Sequence, residues 1–214
     1  MDCFSKIVTQ IQHALTQPLP GELAQIKMAP SSRSELLSFV RPNEIPRQSA
    51  VLIAVYPNNK QAETILIKRP IYNGVHSGQV AFPGGKVEPF DKDLVDTALR
   101  EAEEEVGINP DLVSVLGQLT PLFIPVSNIW VQPVIGLLNQ KPNLSLNLQE
   151  VEYTISAKLC DLKQTENRSV KTIAINSIPI SAPYYKVETE HIWGATAMII
   201  SELLELFSGC TKDE

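Results

Sequence analysis

Residues 83–107 read PGGKVEPFDKDLVDTALREAEEEVG. Two glycines after a proline stand just before a segment that carries four glutamates and one arginine in six residues, Arg100 to Glu105. From Asp93 to Val106 the apolar residues recur at helical spacing: Leu94, Val95, Ala98, Leu99, Ala102 and Val106 fall on one face. Gly107 then ends the helix, as a glycine in the left-handed cap position does. Glu101 and Glu105 lie one turn apart with Glu104 beside both, and such like charges repel by a few tenths of a kcal/mol per pair. The acids also crowd the C-terminal end, where the helix dipole favours cations. A solvated acidic face would explain the charge but not the glycines. A divalent cation among the carboxylates explains both, because hard oxygen ligands suit Mg²⁺ or Mn²⁺ and Gly84-Gly85 lets backbone approach closely. Arg100 can pair with an upstream acid such as Asp91 and hold the loop onto the helix.

Outward from this stretch, SAVLIAVYP from Ser49 and ETILIKR from Glu63 are apolar, β-branched runs split by Pro57-Asn58-Asn59-Lys60. They predict a strand, a turn and a strand. Residues 70–81 read as a loop leading into a short strand. Further strands are expected at Val113–Leu119, Trp130–Leu137, Val151–Ala157 and Val170–Ile175. A closing amphipathic helix is expected within Val187–Phe207, marked by Trp193, Ala197, Ile200, Leu203, Leu204 and Phe207. Residues 1–16 predict an amphipathic helix ended by Pro18 and Pro20. Residues 21–46 are polar and proline-broken, with a short helix at Ser34–Phe39, and read as a wrap on the main domain. Mixed strands with a central and a terminal helix indicate an α+β fold or an α/β sandwich.

The chain has 214 residues, 43% of them apolar, and a net charge of −6. That suits one domain with a terminal extension. The charge disfavours sequence-independent nucleic-acid binding, which needs basic surface. An anionic ligand is still compatible, since a bound metal supplies positive charge locally. Cys3, Cys160 and Cys210 are odd in number and widely spaced, which argues for reduced thiols in a cytoplasmic setting rather than a disulfide framework or zinc site. The N-terminus makes a poor signal peptide, and no apolar run approaches the ~20 residues that span a bilayer. Neither nucleic acid nor membrane is therefore an expected partner. Oligomeric state is not fixed by the sequence, and a homodimer stays open.

The stretch Gly85 to Ile108 resembles the Nudix box: a glycine, a loop with an acid, then Arg-Glu-apolar-any-Glu-Glu-any-Gly-apolar. Here it reads Arg100-Glu101-Ala102-Glu103-Glu104-Glu105-Val106-Gly107-Ile108, with every defined position filled. Asp91 stands where the general pattern has glutamate, and the loop to Arg100 is one residue longer. The resemblance implies an α/β fold, an α/β/α sandwich around a mixed sheet over residues 33–210, with residues 1–32 as a helical and irregular extension. It implies hydrolysis of a nucleoside diphosphate linked to another group. Glu101, Glu104 and Glu105 would bind Mg²⁺ or Mn²⁺, helped by a carbonyl near Gly84 or Gly85. Glu104, Glu105 and Arg100 would serve catalysis. The general base would come from a loop outside the box, with Glu150 and Glu152 as candidates beside the plainer reading of solvated acids flanking a strand.

Segments around the box resemble the coenzyme A pyrophosphatase branch of the family. Residues 66–82, LIKRPIYNGVHSGQVAF, match it at Arg69, His76, Gly78 and Gln79, though Gly74 replaces a basic residue. The Asp91 loop and Ile192-Trp193-Gly194-Ala195-Thr196-Ala197 match too. The implied substrate is coenzyme A or a coenzyme A thioester, with Arg69, His76, Gly84, Gly85 and Trp193 binding it. Trp193 as a core aromatic and His76 as a structural hydrogen-bonder are the plainer alternatives. ADP-ribose, NADH or a non-catalytic sensing role are the alternative functions.

Overall fold

The computed structural model describes residues 2–31, 33, 37, 44–175 and 178–209. The helix expected at Ser34–Phe39 and Cys210 lie outside the described residues. The scaffold is an eight-stranded mixed sheet. Its spine is β1 (Arg47–Asn58), which runs parallel to β7 (Ile129–Leu137) and antiparallel to β2 (Gln61–Lys68). The β1–β2 turn is tight: Asn59 and Lys60 both take positive φ, 48° and 67°, the backbone twist that two-residue hairpins favour. Short strands β3 (Val80–Ala81) and β4 (Gly84–Lys86) pair with β2 and β1 respectively. β5 (Ser114–Gln118) and β6 (Leu122–Ile124) pair with β7, and β8 (Tyr153–Lys158) pairs with β2.

β1 is apolar on both faces because both faces are covered. Ala50, Leu52, Ala54 and Tyr56 point to one side, where they meet Ala98, Ala102 and Val106 of helix α3 (Leu94–Val106). Ile53 and Val55 point to the other, toward helices α1 (Cys3–Ala14) and α5 (Gly194–Glu205). The result is the expected α/β/α layering. Helix α1 is capped by Asp2, which accepts from Ser5 N, and buries Ile7 and Ile11. The described residues also form two short helices, α2 (Gly21–Gln25) and α4 (Leu159–Lys163), with a 3₁₀ turn at Ile26–Met28 after α2. No helix among the described residues is long and apolar enough to cross a membrane.

Two expectations need amendment. Residues 187–193 are not helical: β10 (Ile178–Val187) and β11 (Glu190–Trp193) form a hairpin that joins β9 (Arg168–Ile175) in a second, antiparallel sheet. Trp193 is the last residue of that hairpin, and α5 starts after it. Pro179 and Pro183 disguised β10, since proline cannot donate to a ladder. β11 pairs only with residues 184–187, so both prolines lie where β10 has a neighbour on one side alone. The second amendment concerns the cysteines. Cys3, at the head of α1, faces Cys160 of α4 with sulfurs 3.5 Å apart, a pairing that a separation of 157 residues hides.

Residues 21–25 are anchored by Glu202, an acid with no exposure on α5. Its carboxylate accepts from Gly21 N (3.2 Å), Thr120 N (3.2 Å) and Gln25 Nε2 (2.8 Å). Glu202→Ala leaves the Gly21 and Thr120 N–H groups without this acceptor, each costing roughly 1–3 kcal/mol when buried unpaired, while Gln25 Nε2 keeps Thr120 O. Denaturant unfolding is expected to show a loss of about 2–4 kcal/mol, with Glu202→Gln losing less. A loss under ~1 kcal/mol, the range of an ordinary surface change, contradicts this anchoring role.

Candidate active site

Helix α3 begins at Asp93, whose side chain accepts from Val95 N and Asp96 N, and ends at Gly107 with φ 74°. Its apolar stripe lies on β1, which turns Glu101 and Glu105 toward β4. Gly84 N donates to Glu105 Oε2 at 2.8 Å. A Cβ at Gly84 would collide with the Ala50 carbonyl and Val51 Cα. A Cβ at Gly85 would overlap the Glu101 carboxylate. Gly84 is thus required sterically against β1, and at Gly85 a side chain would displace the Glu101 carboxylate of α3.

Glu105 is 1% exposed. Burial pushes its pKa up to about 7, against the pull of Arg69 and of the Gly84 N–H. Burial also raises Glu101, although Arg100 opposes it. Arg69, just past the end of β2, donates from Nη2 to Gly84 O at 3.1 Å and lies 3.5 Å from Glu105 Oε1. A cation therefore already sits between the carbonyl and carboxylate singled out in the sequence.

Arg100 is the junction of the site. Nε and Nη2 grip Asp91 at 2.8 and 2.9 Å, while Nη1 donates to Glu101 Oε1 at 2.9 Å and Glu104 Oε2 at 3.2 Å. Its remaining reach goes to Lys86 O. Asp91 also accepts from Glu88 N and Thr97 Oγ1, both at 2.8 Å. The Arg100 guanidinium holds the Asp91 carboxyl well below the usual carboxylate range. The shorter acid and longer loop thus reach Arg100 with a full set of donors.

Glu150 arrives by a different route. Asn147 N donates to Glu105 O and Ser145 N to Val106 O, both at 3.0 Å. These bonds satisfy carbonyls that the end of α3 leaves open and fix the loop that carries Glu150. Asn147 Nδ2 donates to Glu150 Oε1 at 3.2 Å, and the Glu150 charge reaches both Glu101 and Glu105. Glu152 instead donates its N–H to Lys68 O as β8 begins.

His76 takes φ 68° in the loop before β3, and its Nδ1 meets Gln79 Oε1 at 3.0 Å. Trp193 stands on the second sheet, half-buried, beside Lys171. Neither is drawn in among the carboxylates. Sequence reasoning missed Lys68, whose ammonium meets Glu190 at 2.7 Å, and Tyr153, which donates to the same carboxylate at 2.7 Å. Only their shared partner Glu190 lies in the singled-out stretch YYKVETEHIW, so no local signal marked either residue.

Among the described residues no three acidic, histidine or cysteine side chains converge on one point. Arg100 holds Glu101 and Glu104, and Arg69 faces Glu105. The donor set nevertheless fits a hard cation: carboxylates of Glu101, Glu104 and Glu105, and the Gly84 carbonyl. Two of these carboxylates are desolvated enough to favour one, and the Glu101 carboxylate lies against the Gly85 backbone, where a Cβ would stand.

The chain matches the NUDIX domain model over residues 46–170. It is 37% identical over 164 residues to the uncharacterized Nudix hydrolase NudL of Photorhabdus laumondii, covering 74% of this chain and 84% of that one. The NudL of Yersinia enterocolitica is 36% identical over 157 residues, covering 73% and 80%. A MutT/nudix family protein from Enterococcus faecalis, 19% identical, superposes over 80% of this chain and 68% of that one with a TM-score of 0.50, a likeness of fold. With the domain match spanning the box and these relatives spanning most of both chains, this chain belongs to the Nudix hydrolase family.

Proposed function

We propose that the protein hydrolyses the pyrophosphate of coenzyme A or its thioesters. The products are adenosine 3′,5′-bisphosphate and 4′-phosphopantetheine, or its acylated form. The observation that carries this reading is the position of Arg69. It comes from the segment that resembles the coenzyme A pyrophosphatase branch, and it lies directly against Glu105 and Gly84. Thr196, from the other such segment, donates to Val80 O at 2.9 Å, so the two segments pack against each other.

Mg²⁺ or Mn²⁺ held by Glu101, Glu104 and Glu105, with the Gly84 carbonyl, would neutralise the pyrophosphate and acidify water. Arg69 binds a phosphate oxygen, a task suited to the guanidinium fork. The water oxygen adds to one phosphorus as the bridging P–O bond breaks, and the leaving phosphate keeps the bonding pair. Glu150 takes the water's proton on its carboxylate, which Asn147 steadies. Arg100 is a positioning residue: it orients Glu101 and Glu104 while Asp91 fixes it. His76 shapes the approach loop through Gln79.

The decisive assay is product chromatography after incubation with Mg²⁺ or Mn²⁺ and coenzyme A, ADP-ribose or NADH. Coenzyme A is expected to be the best substrate. Glu105→Gln should lose at least ~10²-fold in kcat with an unchanged circular dichroism spectrum. Preference for ADP-ribose refutes the coenzyme A reading. Tight binding without turnover of any pyrophosphate favours a sensor.

Asp91→Asn tests the Arg100 brace through pH. The folded Asp91 carboxyl titrates below its unfolded value of ~3.9, so its stabilisation is present above that pH and lost as pH falls through the folded pKa. The variant should be less stable at pH 7 by roughly 2–3 kcal/mol. Its melting temperature should also fall less steeply than the wild type's as the pH drops below ~4. Parallel acid limbs for the two proteins would contradict the assignment.

A further inference from the structure

The NUDIX match ends at residue 170, and the second sheet continues from there. Its register places Tyr184 opposite Trp193 and Lys186 opposite His191. Lys171 lies opposite Ala182, two residues from Tyr184. Paired residues and residues two apart share a face, so Lys171, Tyr184, His191 and Trp193 form one patch. The Lys171 ammonium lies 5.6 Å from the Tyr184 ring centre and 5.8 Å from that of Trp193. Tyr184 packs on His191 with ring centres 4.2 Å apart.

Two aromatic faces hold an ammonium by their negative quadrupoles without neutralising it. Among the described residues Lys171 has no ion-pair partner. The carboxylate whose charge reaches it, Glu190, is occupied by Lys68 and Tyr153. Two lysines against one glutamate leave a surplus positive charge in a partly buried aromatic setting. The residue after Lys68 is Arg69, which touches Glu105 and Gly84. β11, which carries His191 and Trp193, packs beside β3, the strand that leads into the Gly84 turn.

We propose that Lys171, with Tyr184 and Trp193, binds a phosphomonoester on the ribose of the substrate's nucleotide half, apart from the pyrophosphate. The assignment rests on the coenzyme A reading, because ADP-ribose and NADH carry no such group. It places recognition of the extra phosphate outside the shared domain, on a sheet that also supplies an aromatic surface for the base.

Calorimetry with adenosine 3′,5′-bisphosphate and with AMP tests it directly. The wild type should bind the bisphosphate about tenfold tighter, the effect of one charge-assisted contact. Lys171→Ala should bring the two affinities together, and Lys171→Arg should keep them apart. In turnover, Lys171→Ala should raise KM for coenzyme A about tenfold without changing kcat and leave 3′-dephospho-coenzyme A unaffected. Equal wild-type affinities, no binding of either nucleotide, or equal weakening of both in Lys171→Ala overturns the subsite. Preferential hydrolysis of ADP-ribose would refute the parent reading instead, while the nucleotide comparison would still decide the subsite.

Discussion

Glu105 is the point on which the site turns. Its carboxylate is almost wholly withdrawn from water at the C-terminal turn of α3. Burial and the helix dipole both oppose a negative charge there. Only a backbone N–H and a cation can offset them, and the fold supplies both. Gly84 brings the N–H because it alone can lie against β1 at that point, and Arg69 brings the guanidinium. The main-chain carbonyl of the same glutamate receives Asn147 N, which ties down the loop bearing Glu150. One residue therefore connects the glycine turn, Arg69 and the candidate base.

Around it, positive charge is distributed by geometry rather than by amount. The chain is acidic overall, at −6, yet Arg69 and Arg100 each contact acidic side chains in the cleft. Arg100 spends two of its donors on Asp91 and points a third at Glu101 and Glu104. The ion pair that braces the loop thus also presets the carboxylates. Lys171 extends the basic surface onto β9, which runs past the end of the matched domain, while Lys68 lies on β2 within it.

Much of this was legible in the sequence because it rests on periodicity and local chemistry. The stripe from Leu94 to Val106, the stop at Gly107 and the pairing of Arg100 with Asp91 follow from helical spacing and a short loop. The β1–β2 hairpin follows from two apolar runs and a turn. What escaped depends on long-range placement. β10 carries two prolines and is absent from the expected strands, and its one-sided pairing is what accommodates them. Glu202 looks like any helical acid until Gly21, Gln25 and Thr120 close over it. Cys3 and Cys160 meet only because α1 packs near α4. Lys171 gains its meaning from two rings on other strands. Cross-strand neighbours of this kind leave no local signature, whereas a helix writes its neighbours three and four residues apart.

The central claim is that Gly84-Gly85 and the glutamates of α3 make one cation site. Titration with Mn²⁺, followed by the loss of its free-ion electron paramagnetic resonance signal, tests that most directly. The wild type should take up Mn²⁺. Gly85→Ala, which puts a methyl where the Glu101 carboxylate lies, should bind it at least tenfold more weakly while keeping its fold. Equal uptake by the two proteins, or none by the wild type, would contradict the account.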